Sequence, residues 1–134
     1  MILLKNNNQI QSIDFACKIV RDTLLHIEEQ IVPDISTLDL DKMAEEFILS
    51  SGGKPGFKGL YGFPGTLCVS IEDEVVHGVP SKRLLNEGEI ISIDVGSIYN
   101  DYYGDHAKTF PVGEVDDARN KLLDVTKKSL ELGI

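Results

Sequence analysis

Two aspartates interrupt apolar runs of residues that favour β-strands, where a carboxylate is unexpected. Asp94 follows Ile-Ser-Ile and precedes Val-Gly, whereas Asp105 follows Tyr-Tyr-Gly and precedes His-Ala. A buried carboxylate is costly unless it is paired, hydrogen-bonded or bound to a metal ion. Such a mismatch between local pattern and residue type often marks a functional site. We therefore treat Asp94 and Asp105 as candidate metal ligands.

The two aspartates converge if their segments form a hairpin. Residues 89–98 and 102–112 both have strand character, and the polar residues 100–101 between them favour a tight turn. A turn of even length keeps both carboxylates on one face of the sheet, because side chains alternate between faces along a strand.

In this register, Asp94 is predicted to lie opposite Ala107, and Asp105 opposite Gly96. The carboxylates are then diagonal neighbours, roughly 7–8 Å apart at the backbone and closer at their tips. Two convergent carboxylates can bridge a pair of divalent cations roughly 3.5–4 Å apart. The alternative interpretation is that both are ordinary hairpin residues that face solvent.

Composition and charge narrow the class of protein. The chain has 134 residues, which is enough for one domain with a real core. Its net charge of −9 argues against nucleic-acid binding, because phosphates would be repelled. No segment resembles a signal peptide, and no apolar run approaches the ~18 residues that span a membrane. We expect a cytoplasmic protein in which Cys17 and Cys68 are buried free thiols.

Helical patterns are predicted at both ends of the chain, around a region of strands. The first helix covers residues 9–31, and Ser36 is expected to cap a second that ends at residues 52–53. A strand is expected over 66–71, and another is expected to end just before His77. The last helix covers 116–132, and its apolar face is predicted to point inward through Leu122, Leu123, Val125, Thr126, Ser129 and Leu130.

A loop and a histidine complete the candidate chemistry. The Gly- and Pro-rich residues 52–65 hold Phe57, Leu60, Tyr61 and Phe63, a composition typical of a binding loop. The alternative is that these side chains only cover the core. His77 precedes a Gly-Val-Pro turn, where it could donate to a reacting carbonyl oxygen or position a substrate nitrogen. A lone histidine is more often structural.

These features together resemble the type I methionine aminopeptidases along essentially the whole chain. The specificity of the resemblance comes from several motifs in the family's order and spacing. The matching motifs are Gly59-Leu60-Tyr61-Gly62-Phe63-Pro64, Cys68-Val69-Ser70-Ile71, Val75-Val76-His77-Gly78-Val79-Pro80, Ile93-Asp94-Val95-Gly96 and Tyr103-Gly104-Asp105.

The resemblance implies an α+β fold, the N-terminal half of the pita-bread fold, in which helices pack on one face of an antiparallel sheet. It also implies removal of the N-terminal initiator methionine from nascent proteins. Asp94 would bind one of two divalent metal ions (Co, Mn, Fe or Zn), and Asp105 would bridge both. His77 would contact the substrate near the scissile amide. The methionine pocket would include Phe57, Leu60, Phe63 and Cys68.

The chain also departs from the family that it resembles. Glu72 stands where Asn is common, and Leu60 where tyrosine is frequent. Family members are about twice as long, and their second half supplies a histidine and two glutamates to the metal site. We therefore expect residues 1–134 to be one domain, the N-terminal portion of a catalytic domain truncated at its C-terminus. The exposed half-core could then drive homo-association.

Two alternatives to this enzyme remain open at the level of sequence. One is a non-catalytic pita-bread-like module that binds peptide ends, although such a module has no need for both aspartates and His77. The other is a proline-specific aminopeptidase of the same fold. The Gly-Phe-Pro loop and the His-Gly-Val-Pro turn favour the methionine enzymes.

Overall fold

Two helices lead the chain, strands follow, and a third helix ends it. The computed structural model describes residues 3–134. In that range the elements are α1 (Asn7–Glu28), α2 (Thr37–Ser50), β1 (Lys54–Pro55), a 3₁₀ turn (Leu60–Gly62), β2 (Leu67–Ile71), β3 (Ile90–Tyr99), β4 (Tyr102–Pro111) and α3 (Asp117–Gly133). The predicted α+β class is confirmed. No helix of residues 3–134 is both long and apolar enough to cross a membrane.

Strand β3 is the centre of the sheet. It pairs with β4 along its full length on one side. On the other side it pairs with β2 near its start and with β1 near its end. All of these pairings are antiparallel. The β3–β4 turn consists of Asn100 and Asp101, both with positive φ (48° and 66°), which suits a two-residue hairpin between twisted strands.

Helices α1 and α2 cover one face of this sheet, as the resemblance to the family implied. Ile91, Ile93 and Val95 point from β3 into the buried core between sheet and helices. Because side chains alternate along a strand, Ser92 and Asp94 lie on the opposite face. Helix α1 lies very close to β4, since a Cβ on Gly104 would lie 2.5 Å from the backbone of α1.

The helix starts follow local capping chemistry. Asn6 caps α1 in a reciprocal pair of hydrogen bonds with Gln9. Ser36 caps α2, as predicted, by accepting a bond from the backbone N–H of Asp39 (3.1 Å). The expectation that Cys17 is buried is wrong. It lies on the outer side of α1 and is exposed, because the neighbouring Ala16 takes the buried position.

Helix α3 does not bury its apolar face, so the inward orientation predicted from its pattern is wrong for this chain. Leu122, Val125 and Leu130 are 55%, 53% and 63% exposed, and no residue of the helix is buried. The periodic pattern marks a face that needs apolar cover. Residues 3–134 do not supply that cover.

Candidate metal centre and substrate pocket

The two aspartates lie on the open face of the sheet, away from α1 and α2. The predicted register is confirmed: Asp94 pairs with Ala107, and Asp105 pairs with Gly96. The short hairpin turn sets this register, and the alternation of side chains places both carboxylates on one face. Their small partners leave space beside them. The hairpin therefore presents two oxygen-donor groups to one region of surface.

Asp94 has an unsatisfied buried oxygen. Its Oδ1 is buried and makes no hydrogen bond to any described residue. Burial, and next the charge of Asp105, raises the pKa of Asp94 above its ordinary value, while His77 acts in the opposite direction. A buried carboxylate oxygen without a partner is costly. A cation at this position would satisfy it.

Cys68 lies opposite Asp94 on β2 and is 7% exposed. Burial, followed by the charges of Asp94 and Asp105, raises the pKa of the Cys68 thiol to about 11. The side chain is therefore a neutral thiol at physiological pH, not a thiolate. It behaves as a small apolar wall beside the carboxylates.

The donor set fits part of a metal site. Carboxylate oxygens are suitable ligands for divalent cations. However, no group of three or more His, Cys, Asp or Glu side chains within residues 3–134 is arranged to hold a metal ion. Asp94 and Asp105 can therefore supply two carboxylate ligands, and a complete site needs further ligands.

One cavity of about 520 Å³ opens beside the aspartates. The structure places all seven of the residues nominated from sequence on its wall. The complete lining is Phe57, Leu60, Tyr61, Gly62, Phe63, Pro64, Cys68, His77, Asp94 and Asp105. The cavity has aromatic and aliphatic walls with carboxylates at one side. It can hold an apolar side chain next to a charged centre.

The loop that forms the apolar wall is attached to both the sheet and α2. The ring of Phe57 lies against Gly96 so closely that a Cβ there would be 2.6 Å from it. Lys58 forms an ion pair with Glu45 of α2 (2.6 Å). Asp41, also of α2, accepts hydrogen bonds from the backbone N–H groups of residues 66 and 67 (2.7 and 2.8 Å). These contacts hold the two ends of the loop.

Tyr61 also lines the cavity, although the sequence analysis placed it only in the candidate binding loop and not in the methionine pocket. It is fully exposed and has φ of 50° in the 3₁₀ turn. Gly59 and Gly62 flank it, with φ of 86° and 82°. These two glycines were the available sequence signal, because glycine adopts positive φ readily and permits a tight left-handed turn. The turn raises the ring to the mouth of the cavity.

His77 lies in the loop that follows β2 and reaches the same cavity. The strand expected just before it is wrong: Val75 and Val76 are exposed and unpaired with any described strand. His77 has φ of 59°, a left-handed conformation that turns the chain out of a strand. The carbonyl of the next residue, Gly78, accepts a hydrogen bond from the backbone N–H of Val69 in β2 (2.9 Å).

Comparison with known proteins identifies the family. The family model for metallopeptidase family M24 matches residues 11–134. Methionine aminopeptidases of Clostridium acetobutylicum and Borreliella burgdorferi are 47% and 49% identical to the chain, over 100% and 98% of its length. The chain covers only 54% and 52% of those proteins, so it spans about half of their length.

The fold comparison agrees with the sequence comparison. The crystal structure of methionine aminopeptidase from Thermotoga maritima superposes on the whole chain with a TM-score of 0.96 and 38% identity, and the chain covers 54% of it. The chain thus has the fold of about half of such a protein, which confirms the half pita-bread architecture. The chain belongs to metallopeptidase family M24.

Proposed function

We propose that this chain is the N-terminal part of a metal-dependent aminopeptidase that removes the initiator methionine from nascent proteins. The observation that carries the proposal is the meeting of Asp94, Asp105 and His77 at one apolar cavity. The chain is 47% and 49% identical to two proteins named methionine aminopeptidase, which supports an N-terminal methionine as the substrate residue. Action on nascent chains would place the enzyme in the cytoplasm.

Asp94 and Asp105 are proposed to hold divalent metal ions, two in a complete site, with Co, Mn, Fe and Zn as the candidates. The unpartnered Oδ1 of Asp94 supports the ligand role for that residue. When bound, such ions would activate a water molecule and polarise the scissile carbonyl. The two aspartates contribute negative charge that attracts and orients the cations, and the half-buried position of Asp94 opposite Cys68 limits competing solvent there.

The apolar wall is proposed to bind the methionine side chain. Phe57, Leu60, Phe63 and Cys68 offer aromatic, aliphatic and thiol surfaces that suit a flexible thioether. A substrate with its side chain in this cavity has its first peptide bond near the carboxylates. His77, on the cavity wall, would donate a hydrogen bond to the substrate there and help to orient the amide.

The remaining ligands are proposed to come from polypeptide that corresponds to the second half of the relatives. Three observations support this proposal. The chain spans about half of those proteins, and two carboxylates are too few for a dinuclear site. In addition, residues 3–134 leave the apolar stripe of α3, formed by Leu122, Val125 and Leu130, uncovered. In the absence of that polypeptide, we propose that two copies of the chain associate through the stripe.

The test is methionine release from the peptide Met-Ala-Ser across Co(II) and Mn(II) titrations. Two samples are compared: the chain alone, and the chain joined to the second half of the Clostridium acetobutylicum relative. We expect metal-dependent release from the joined protein and little from the chain alone. In the joined protein, Asp105→Ala should abolish release, and His77→Ala should lower turnover while metal still binds.

The same assay separates the alternatives. A joined protein that binds Met-Ala-Ser but never cleaves it would favour a peptide-binding module. Cleavage of Ala-Pro-Ser in preference to Met-Ala-Ser would favour a proline-specific enzyme. Normal turnover after Asp105→Ala would contradict the metal-ligand role.

A further inference from the structure

The loop that carries His77 contains two strained residues. Glu72 and His77 both have positive φ (54° and 59°) although neither is glycine. Residues in this conformation persist only where their surroundings hold them in place. The contacts that fasten the loop therefore determine where the His77 side chain lies.

One end of the loop is fastened by Gly78. Its carbonyl accepts from Val69 N (2.9 Å), and its own N–H donates to Ser70 Oγ (3.4 Å). A Cβ at this position would lie 1.9 Å from the Val69 carbonyl oxygen. The chain therefore passes directly against β2 immediately after His77.

The other end is fastened by the carboxylate of Glu72. Its Oε1 accepts from Ile90 N (2.9 Å) and from Arg119 Nε (3.1 Å). Its Oε2 accepts from Arg119 Nη2 (2.6 Å). A bidentate pair of this kind fixes geometry as well as contributing energy, because the planar guanidinium matches the carboxylate.

Arg119 brings helix α3 into this contact. It lies in the first turn of α3 and also binds Asp116, the residue that caps that helix. Because α3 buries no residue against the rest of the chain, the Glu72–Arg119 pair is a specific polar connection between α3 and the region of the site. The connection depends on Glu72, the position where the family that the sequence resembles commonly has Asn.

We propose that Glu72 and Arg119 are positioning residues for His77, through which α3 holds the loop in its site-forming conformation. The proposal rests on the proposed function only for the role of His77 at a metal-dependent site. The geometric part, that the pair holds the loop, stands on the contacts above. It also implies that whatever fixes α3 stabilises the arrangement of His77.

Amide hydrogen exchange of Val69 tests the geometric part, because that N–H donates to Gly78 and is exposed when the His77 turn opens. We expect Arg119→Gln to accelerate Val69 exchange roughly fivefold, the size expected for losing a charge-assisted hydrogen bond at a partly exposed site. Arg119→Lys keeps the positive charge but not the planar guanidinium. Its Val69 exchange rate should therefore lie between those of Arg119→Gln and the wild type. Amides of the β3–β4 ladder serve as the reference for global stability.

Glu28→Gln is the matched control. It weakens the Lys108–Glu28 pair (2.8 Å), another ion pair between separate elements, which does not touch the loop. We expect no change in Val69 exchange from this variant. Unchanged Val69 exchange in Arg119→Gln, with faster exchange confined to α3, would mean that the pair only attaches the helix and would overturn the proposal.

Broadening of side-chain NMR signals by Mn(II) tests the connection to the site. Mn(II) bound at Asp94 and Asp105 should broaden the ring signals of His77 in the wild type but not those of His26, which stacks on Phe47 between α1 and α2. Arg119→Gln should reduce broadening of His77 while broadening of the Asp94 amide stays. Equal His77 broadening in both proteins would contradict the proposal. If the Asp94 amide were not broadened in the wild type, metal binding by this chain would be contradicted. Val69 exchange would then still decide whether the Glu72–Arg119 pair holds the loop.

Discussion

At the scale of single residues, Asp94 has unfavourable surroundings for a charged carboxylate. Its pKa is raised first by burial and then by Asp105, so the folded chain binds a proton at Asp94 more readily than the unfolded chain does. For such a group the stabilising contribution is fully present below the unfolded pKa and is lost as pH rises through the folded pKa. The contribution of Asp94 to the stability of the metal-free chain should therefore fall as pH rises from about 3 towards neutrality, whereas carboxylates with lowered pKa values, such as Glu72 and Glu89, act in the opposite direction.

Asp94→Asn should remove this part of the pH dependence. We expect the variant to have a higher urea midpoint than the wild type at neutral pH in chelator, and the difference to vanish near about pH 3. Mn(II) should raise the urea midpoint of the wild type but not that of Asp94→Asn, since loss of the Asp94 carboxylate should weaken Mn(II) binding at least about 100-fold. Asp124→Asn, an exposed position on α3, is the control. If the urea midpoints of the wild type and Asp94→Asn depended on pH in the same way, the raised pKa of Asp94 would be contradicted.

At the scale of secondary-structure elements, β3 couples the carboxylates to the apolar wall. Asp94 and Gly96 are alternate residues of this strand, and the ring of Phe57 occupies the space that a side chain at Gly96 would take. The hydrogen bond from Gly56 N to the Gly96 carbonyl (2.8 Å) holds the loop at the same point. A change at Gly96 therefore acts on the pocket without removing a ligand.

Gly96→Ala should displace Phe57 and destabilise the chain by about 1–3 kcal/mol, the usual cost of overpacking. Urea unfolding measures the loss, and Mn(II) binding should change little because Asp94 and Asp105 remain. Gly133→Ala is the control, since nothing lies within 4 Å of a Cβ there and alanine favours the helix. A Gly96→Ala chain as stable as the wild type would show that the Phe57 contact is not tight.

Sequence predicted the hairpin well because its register depends on local rules. A turn of even length centred on residues 100–101 and strict alternation were sufficient to place Asp94 opposite Ala107 and Asp105 opposite Gly96. The same rules failed for Val75 and Val76. Their residue types favour a strand, but these residues pair with no described strand. The left-handed turn at Tyr61 was missed because it depends on the pair of glycines that flank it rather than on the periodicity of apolar residues.

At the scale of the whole molecule, residues 3–134 leave the apolar stripe of α3 (Leu122, Val125 and Leu130) without cover. Its apolar period was recognised from sequence, but periodicity shows only that a face needs burial and does not identify the surface that covers it. The described chain leaves Leu122, Val125 and Leu130 more than half exposed. An apolar stripe of this kind favours association between copies at high concentration.

Replacing all three residues by Gln should weaken self-association at least about tenfold, because each loses up to ~1.5–3 kcal/mol of burial energy at an interface. Sedimentation of wild type and variant over a range of concentrations measures the change. The control replaces Leu25 and Leu49, which are 54% and 53% exposed on α1 and α2, also by Gln. Equal association of the two variants would show that the α3 stripe is not the contact surface.

The central position of β3 also has a consequence for synthesis. The ribosome releases a chain from its N-terminus, so the aromatic loop and the His77 loop both leave the exit tunnel before β3, the strand on which they are organised. Neither loop has its final support until β3 has emerged, and the carboxylates do not converge until β4 has folded back on it. Vectorial synthesis thus assembles this cavity only once β4 has emerged, after a period in which its apolar wall is unsupported and available to chaperones.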